Sequence, residues 1–472
     1  MKYDARKQQI KFEITSKFGI KTKIDSVFID LVVDKLAAQE FNMSFYAGEG
    51  VTNSQSSNRR VSLSLTTKLK GLFIGIGISF YASYQILFLR SRANLPQSVG
   101  LVFAIPPIVL ENRESIQNFQ KYLDLMLMPK NMGIQGTYLV QSGKLRGNVK
   151  LSNMIIVPHV GSEILRRAQS NRLIQTSKVL WRMLCWLLKS FSNPYLVLIG
   201  PEFIVDYMAI NERGDQGLDL LITTQSQLLA PTIYFRTELK ARRIMFWYSD
   251  NSRQISRRPL EELDYSYLSQ TLIHEHFVWT ESWSKTLAAY NPEAEIKALG
   301  PVIFRKIEIP EKVALFKSKP PKRILIFDVT PKKFASSYSI YSEENMRKFL
   351  SDIVDVTTHK IFPVFLILKP KRKYLNSDSA IYLNEVTLHA HKLSILQWNC
   401  DIVKEINHAD LVICIPFTSP ALISSYLGVP TVFYTPTSDF ELGHSHEGIP
   451  VLQGRDELEE FLEKEINKKY NS

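Results

Sequence analysis

The sequence predicts an α/β chain built from two parallel-sheet units behind an N-terminal extension, and three observations carry that reading. From Val99 onward, short apolar runs alternate with longer amphipathic ones, the texture of strands that reach parallel neighbours through helices. The alternation stops at 307–322, where IEIPEKVALFKSKPPK combines three prolines with several lysines in the manner of a linker. It restarts at Arg323–Asp328 (RILIFD) and continues as strand, helix, strand to a charged C-terminal helix. The expected divisions are an extension over 1–94, a first unit over 95–306, a linker over 307–322 and a second unit over 323–472.

In the extension, Phe28, Leu31, Val32 and Leu36 have helical spacing within 27–40, and the Ser/Asn/Gln-rich stretch Gly48–Arg60 reads as a loop. Gly71–Leu89 is free of charge and flanked by Lys68 and Lys70 on one side and Arg90 and Arg92 on the other. Its length is near the minimum for a bilayer span, but three glycines, two serines and Gln85 dilute its apolarity. A buried or surface-dipping helix is the favoured expectation and a single span over 71–89 the alternative. Basic residues on both flanks leave the orientation open.

In the first unit, strands are expected at Val99–Pro106, Gly136–Gln141, Met154–Val157, Pro194–Gly200, Leu218–Thr223, Arg243–Tyr248 and Phe277–Thr280. Helices are expected near Glu114–Met128 and over 161–192. In the second unit, Arg323–Asp328, Phe362–Leu368, Ile395–Trp398, Leu411–Ile415 and Thr431–Tyr434 read as strands. Helices are expected at Glu343–Val354, Ala380–His391, Asp401–Asn407, Pro420–Leu427 and Arg455–Lys468. Such an order gives a Rossmann-like domain. Two of them facing each other would resemble the GT-B arrangement, and that resemblance implies a donor nucleotide in the cleft, mostly on the second domain.

Composition narrows the function classes. The 472 residues contain 45% hydrophobic and 22% charged residues, ordinary for a folded globular chain. A formal net charge of +12 fits an anionic partner, whether a phosphorylated substrate or an acidic membrane face. The basic residues are dispersed and lack the aromatic interleaving of a nucleic-acid platform, so no nucleic-acid partner is expected. Cys185, Cys400 and Cys414 have neither disulfide nor zinc spacing. No D-x-D element follows a strand, and His444 and His446 in GHSHEG read as a polar loop, so no metal is expected.

The sharpest local feature is ADLVICIPFTSPALISSYLGVPTVFY at 409–434. A strand ends, Pro416–Phe417 turn the chain, and Thr418 and Ser419 stand at the start of a helix. Hydroxyls there cap the helix and, with its free N–H groups, form a place for an anion. Ligands of open α/β sheets lie beyond the carboxyl ends of strands, where this turn falls. The words PFTSP and LGVPTVFY resemble the signature of the PFTS-motif polysaccharide biosynthesis family. TTQSQLLAP at 223–231 and MFWYSDNS at 245–252 extend the resemblance over roughly 95–440. That family is similar to capsule, Kdo and sialic-acid-type glycosyltransferases.

The resemblance implies a bacterial GT-B transferase of surface-polysaccharide (capsule or O-antigen) assembly. It would use a nucleotide-sugar donor, often CMP-linked, whose phosphate Thr418 and Ser419 hold. Relatives often carry a K-P-H-P-like element after an earlier strand. Here the residues are Lys369-Pro370-Lys371-Arg372, without the His; Lys369, Lys371 and Arg372 retain the charge to pair with phosphate. Glu405, on the helix before the motif strand, is a candidate for a ribose, with solvated surface as its default role. No cofactor is expected, because the nucleotide sugar is a substrate.

On the first unit an inverting transferase needs a general base, for which Glu202, His159, Asp250 and Glu275 are candidates near strand ends. Gln225, Ser226, Tyr248 and Asn251 are candidates for the acceptor side of the cleft; Trp247 and Trp279 divide between cleft and core. The helix KVLWRMLCWLLKSF at 178–191 is read as core or as an element dipping into a membrane interface. The expected partners are thus a nucleotide-sugar donor, a glycan or lipid-linked acceptor and a membrane surface, with the protein peripheral to the inner face of the cytoplasmic membrane. Two alternatives stay open: a nucleotide-sugar epimerase of GT-B shape, and a non-catalytic membrane-proximal glycan-binding protein.

Overall fold

The structure is a computed structural model. It describes scattered residues between 73 and 123 (99–103 among them) and the segments 137–141, 149–151, 154–157, 160–167, 172–192, 218–223, 241–247 and 256–257. It also describes 273–301, 323–331, 340–359, 364–375, 378–438, 440–441 and 447–467. The expected strand Pro194–Gly200, the helix over 27–40 and the loop Gly48–Arg60 lie outside the described residues.

The first unit contains β1 (Val99–Phe103), β2 (Thr137–Gln141), β3 (Val149–Leu151), β4 (Met154–Val157), α1 (Val160–Arg167), α2 (Arg172–Ser192), β5 (Leu218–Thr223) and β6 (Arg242–Phe246). After β7 (Ser256–Arg257) come β8 (Glu275–Val278), α3 (Glu281–Tyr290) and β9 (Glu295–Ala298). Its eight-stranded sheet runs β3-β4-β2-β1-β5-β6-β8-β9, parallel except for β3 against β4.

The second unit contains β10 (Arg323–Phe327), α4 (Glu343–His359), β11 (Phe365–Lys369), α5 (Ala380–Leu388), β12 (Leu393–Ile395), α6 (Ile402–Asn407), β13 (Leu411–Cys414), α7 (Ser419–Tyr426), β14 (Thr431–Thr435), β15 (Phe440–Glu441), β16 (Val451–Gln453) and α8 (Arg455–Asn467). Its sheet is fully parallel, in the order β12-β11-β10-β13-β14-β16. Counted along that sheet the strands read 3-2-1-4-5-6, the doubly wound order, with the reversal between β10 and β13. The first sheet repeats the pattern about β1 and β5. Both expected units are therefore Rossmann-like.

Burial explains why these segments form strands. All four residues of β13 and all five of β14 are buried, as parallel strands covered on both faces require. Alternate residues feed two apolar clusters. Ile324, Ile326, Leu368, Ile413 and Tyr434 face α4 and α5, whereas Leu325, Phe327, Ile367, Cys414 and Phe433 face the other way. The second of these clusters also includes Val102, Ile222, Phe246 and Trp283 of the first unit. A further link is backbone pairing: β7 and β15 form an antiparallel ribbon with Arg257 opposite Phe440 and Ser256 opposite Glu441.

Several boundaries differ from expectation for visible reasons. The strand expected at Phe277–Thr280 is Glu275–Val278, because the Thr280 hydroxyl accepts from the Trp283 N–H and caps α3. The strand expected at Ile395–Trp398 is Leu393–Ile395; its buried Leu393 is in register with Leu366. β3, β9, β16 and the ribbon are not among the expected strands. In β9 half-buried and exposed positions alternate, and Lys297 pairs with Glu295 at 2.6 Å, so a polar edge strand carries no apolar run. In the 71–89 segment the described helical residues include exposed Phe73, Phe80 and Tyr84 and buried Ser83. Among the described residues no helix is long and apolar enough to cross a membrane.

Candidate donor site at the strand reversal

In the second sheet, Phe327 is in register with Lys369 on one side and Cys414 on the other. The carboxyl ends of β10, β11 and β13 therefore lie side by side, at the reversal of strand order. This is the place where open α/β sheets leave a crevice for ligands. Three segments emerge there: Asp328–Thr330 after β10, Pro370–Arg372 after β11 and Ile415–Ser419 after β13.

The segment after β13 turns through Phe417, a non-glycine residue with φ of 58°. That left-handed conformation costs roughly 1–2 kcal/mol for a residue with a side chain, and packing holds it. Phe417 is buried with its ring edge-on to Phe433 at 5.8 Å, and the Tyr341 hydroxyl donates to the Pro416 carbonyl at 3.2 Å. The turn delivers Thr418 to the amino end of α7, with Ser419 as the first helical residue. Capping differs from expectation. The Thr418 hydroxyl donates back to the Ile415 carbonyl at 2.9 Å and caps no helical N–H. Its role is to close the turn, and the first-turn donors of α7 are not taken by its side chain. At the far end Gly428, with φ of 74°, ends the helix and admits β14.

The segment after β11 is held by Asp328. This carboxylate is buried; its oxygens accept from the Lys371 N–H at 2.6 Å, the Tyr382 hydroxyl at 2.8 Å and the Thr330 hydroxyl at 3.2 Å. Burial pushes its pKa up, while these donors and the nearby Lys369 charge pull it back. Asp328 thus fixes the backbone of the basic loop.

The loop's three cations have different fates. Arg372 makes a two-pronged pair with the fully buried Asp378, at 2.8 and 2.7 Å, and reaches the Thr330 carbonyl. It is a structural clamp, which corrects the expectation that it pairs with phosphate. Lys369 is buried; burial lowers its pKa, opposed by Cys400 and Asp328. Lys371 is exposed. The structure thus gathers Thr418, Ser419, Lys369 and Lys371 at one end of one sheet.

Other candidates separate. Glu275 is the first residue of β8, at the amino end of the strand, and its carboxylate takes both arms of Arg242 at 2.6 and 2.5 Å. That position and that pairing remove it as a base for the carboxyl-end cleft. Glu405 lies 3.9 Å from Arg323, the first residue of β10, and so at the opposite sheet end from the motif. Trp247 and Trp279 are core residues. Trp247 packs edge-on to Trp283 at 5.6 Å and donates to His276 Nδ1 at 3.3 Å, and Trp279 donates to the Trp247 carbonyl. Glu202, His159, Asp250, Gln225, Ser226, Tyr248, Asn251, His444 and His446 lie outside the described residues.

Residues 206–462 match the polysaccharide biosynthesis PFTS motif family. The chain belongs to that family. Its PFTS word is Pro416-Phe417-Thr418-Ser419, the left-handed turn and helix start described above. No curated protein matches the chain. Among solved structures it is similar to the wall teichoic acid polymerase TagF, at 10% identity over 87% of this chain and 93% of that one, with a TM-score of 0.39. It is also similar to the UDP-forming α,α-trehalose-phosphate synthase of Burkholderia xenovorans, solved with glucose-6-phosphate, at 11% identity over 78% and 92% of the two chains, with a TM-score of 0.41. A third likeness is to S. aureus TarM, solved with UDP, at 10% identity over 53% and 49%, with a TM-score of 0.34.

Proposed function

We propose that this member of the PFTS family is a GT-B glycosyltransferase, moving a sugar from a nucleotide-activated donor to a growing surface polysaccharide or glycolipid. The carrying observation is the position of the PFTS turn: at the strand reversal of a doubly wound sheet, on a helix amino end, with a basic loop one strand further along the same sheet end. In this reading the acceptor hydroxyl oxygen bonds to the anomeric carbon and the bond from that carbon to the donor phosphate oxygen breaks. The nucleotide leaves with the bonding electrons, and the acceptor proton passes to a base. Negative charge grows on the departing phosphate, where the α7 amino end, the Ser419 hydroxyl and Lys371 stabilise it, with Lys369 adding buried positive charge. Thr418 keeps the turn in place.

Those fixed dipoles and cations can meet the phosphate charge without a divalent ion, so the transfer is metal-independent. Glu202, His159 and Asp250 remain the base candidates, and Gln225, Ser226, Tyr248 and Asn251 the acceptor-side candidates. A CMP-linked donor is the first candidate, on the resemblance of the PFTSP word to CMP-using relatives, and the protein works peripherally at the inner membrane face, where lipid-linked acceptors are met.

A thermal-shift titration with CMP, UDP, GDP and their sugar conjugates tests the donor site. A ligand that binds only the native state raises its melting temperature by mass action. The expected result is a shift with one nucleotide family that survives EDTA and is lost in Thr418→Ala/Ser419→Ala. No shift with any of them, or an undiminished shift in the double variant, would sink this assignment.

A further inference from the structure

Helix α2 is apolar on two sides. Thr176, Val179, Met183 and Trp186 are buried and form the side that packs inward. Leu173, Ile174, Trp181, Leu184 and Leu188 are large apolar residues on the opposite side, with exposures of 68%, 54%, 66%, 45% and 61%. Helical spacing puts these five within one stripe. Soluble helices turn charge, not tryptophan and leucine, to water, and a contiguous exposed apolar stripe marks an interaction surface.

Charge identifies the occupant. The 21 residues of α2 include Arg172, Lys178, Arg182 and Lys189 and no acidic residue. Lys178 and Arg182 are exposed and one turn apart, along the edge of the apolar stripe. A cationic edge beside an aromatic-aliphatic face is the pattern of a helix lying in the plane of an anionic bilayer surface, its apolar side among the acyl chains and its cations at the headgroups. A second exposed stripe supports the same occupant. Phe73, Phe80 and Tyr84 share one side of the helical residues in the 71–89 segment, exposed by 72%, 59% and 53%, and that segment is bracketed by Lys68, Lys70, Arg90 and Arg92.

We infer that the outer face of α2 docks the protein on an anionic lipid surface, laying the helix in the interface without crossing it. The inference deepens the proposed function by naming the contact through which a membrane-bound acceptor would be met; its test does not pass through sugar transfer. Vesicles of phosphatidylcholine, with and without phosphatidylglycerol, are sedimented with the full chain at low and high salt. Binding is expected to phosphatidylglycerol vesicles and to weaken with salt, because the charge part is screened while the apolar part is not. Ile174→Ser/Trp181→Ser should lower the partition constant at least roughly tenfold. Lys178→Gln/Arg182→Gln should remove the preference for phosphatidylglycerol. Ile174 and Trp181 are exposed, so melting temperature and any nucleotide-induced shift of Ile174→Ser/Trp181→Ser should stay as in the wild type.

Wild-type chain that stays in the supernatant with phosphatidylglycerol vesicles overturns the inference. So do variants that sediment like the wild type. A lipid-free dimer that Ile174→Ser/Trp181→Ser converts to monomer overturns it too, by assigning the face to a second copy. Vesicle binding without any nucleotide shift would leave this docking face standing while the donor site fell.

Discussion

Asp328 and His276 are both buried titratable groups, and each has a consequence that can be measured. Asp328→Asn keeps the shape but turns an amide N–H2 toward groups that themselves donate. The Lys371 N–H and the Tyr382 hydroxyl would lose a carboxylate acceptor, at a cost of about 1–3 kcal/mol. Urea unfolding should register that loss, and nucleotide titration should show weaker binding because the basic loop loses its anchor. A variant as stable as the wild type would refute the anchoring role. His276 is held neutral by burial, its pKa lowered to about 4 from the ordinary 6.5. Between those values the unfolded chain binds the extra proton, so stability from this group is full above about pH 6.5 and is lost as pH falls toward 4. The urea midpoint of the wild type should fall over that window more steeply than that of His276→Gln. Parallel pH profiles would show the burial to be unimportant. Thr418 and Ser419 were legible because a hydroxyl pair between a strand and a helix is a local pattern. Asp328 was not, because its partners come from 43 and 54 residues away.

At the scale of elements, what could be read was whatever carried an apolar period. β13, β14 and α7 follow from LVIC, TVFY and the Gly428 stop. A four-residue polar edge such as β9, or a two-residue ribbon, forms only because a neighbour offers backbone groups, and a window along the chain does not contain that neighbour. Two residues after β9, Gly300 adopts φ of 82°, and a Cβ there would meet the Tyr426 ring of α7 at 3.0 Å. Gly300→Ala should cost about 1–2 kcal/mol, from the left-handed backbone together with that contact. In a Tyr426→Ala background the cost should shrink by the contact's share, leaving the backbone term. A double-mutant cycle with no coupling would show that the ring simply moves aside.

The whole molecule was predicted as two units from rhythm and a proline break, and the sheets have that organisation. The link between the units was not predicted. Among the described residues it includes a shared apolar cluster, the β7–β15 ribbon and the approach of Gly300 to Tyr426, contacts between distant parts of the chain. Such contacts should make unfolding cooperative across the units. Glu441→Pro removes the backbone N–H of a ribbon residue and fixes its φ. It should lower the stability of the second unit's transition or split a single urea transition into two, detectable by circular dichroism and by tryptophan fluorescence, since Trp247, Trp279 and Trp283 belong to the first unit. Coincident transitions at the wild-type midpoint would show that the ribbon adds nothing.

The ribbon also bears on biosynthesis. During translation the strand at 256–257 leaves the ribosome long before the strand at 440–441 exists, and Val102, Ile222 and Trp283 emerge before Leu325, Phe327 and Phe433, which share their cluster. The nascent first unit therefore carries apolar surface without its final cover for the time needed to make the second. Contacts of such sequence separation are slow to form and expose sticky intermediates. Chains truncated before 440 should aggregate or be held by chaperones, and the last stretch synthesised should release them into the native state.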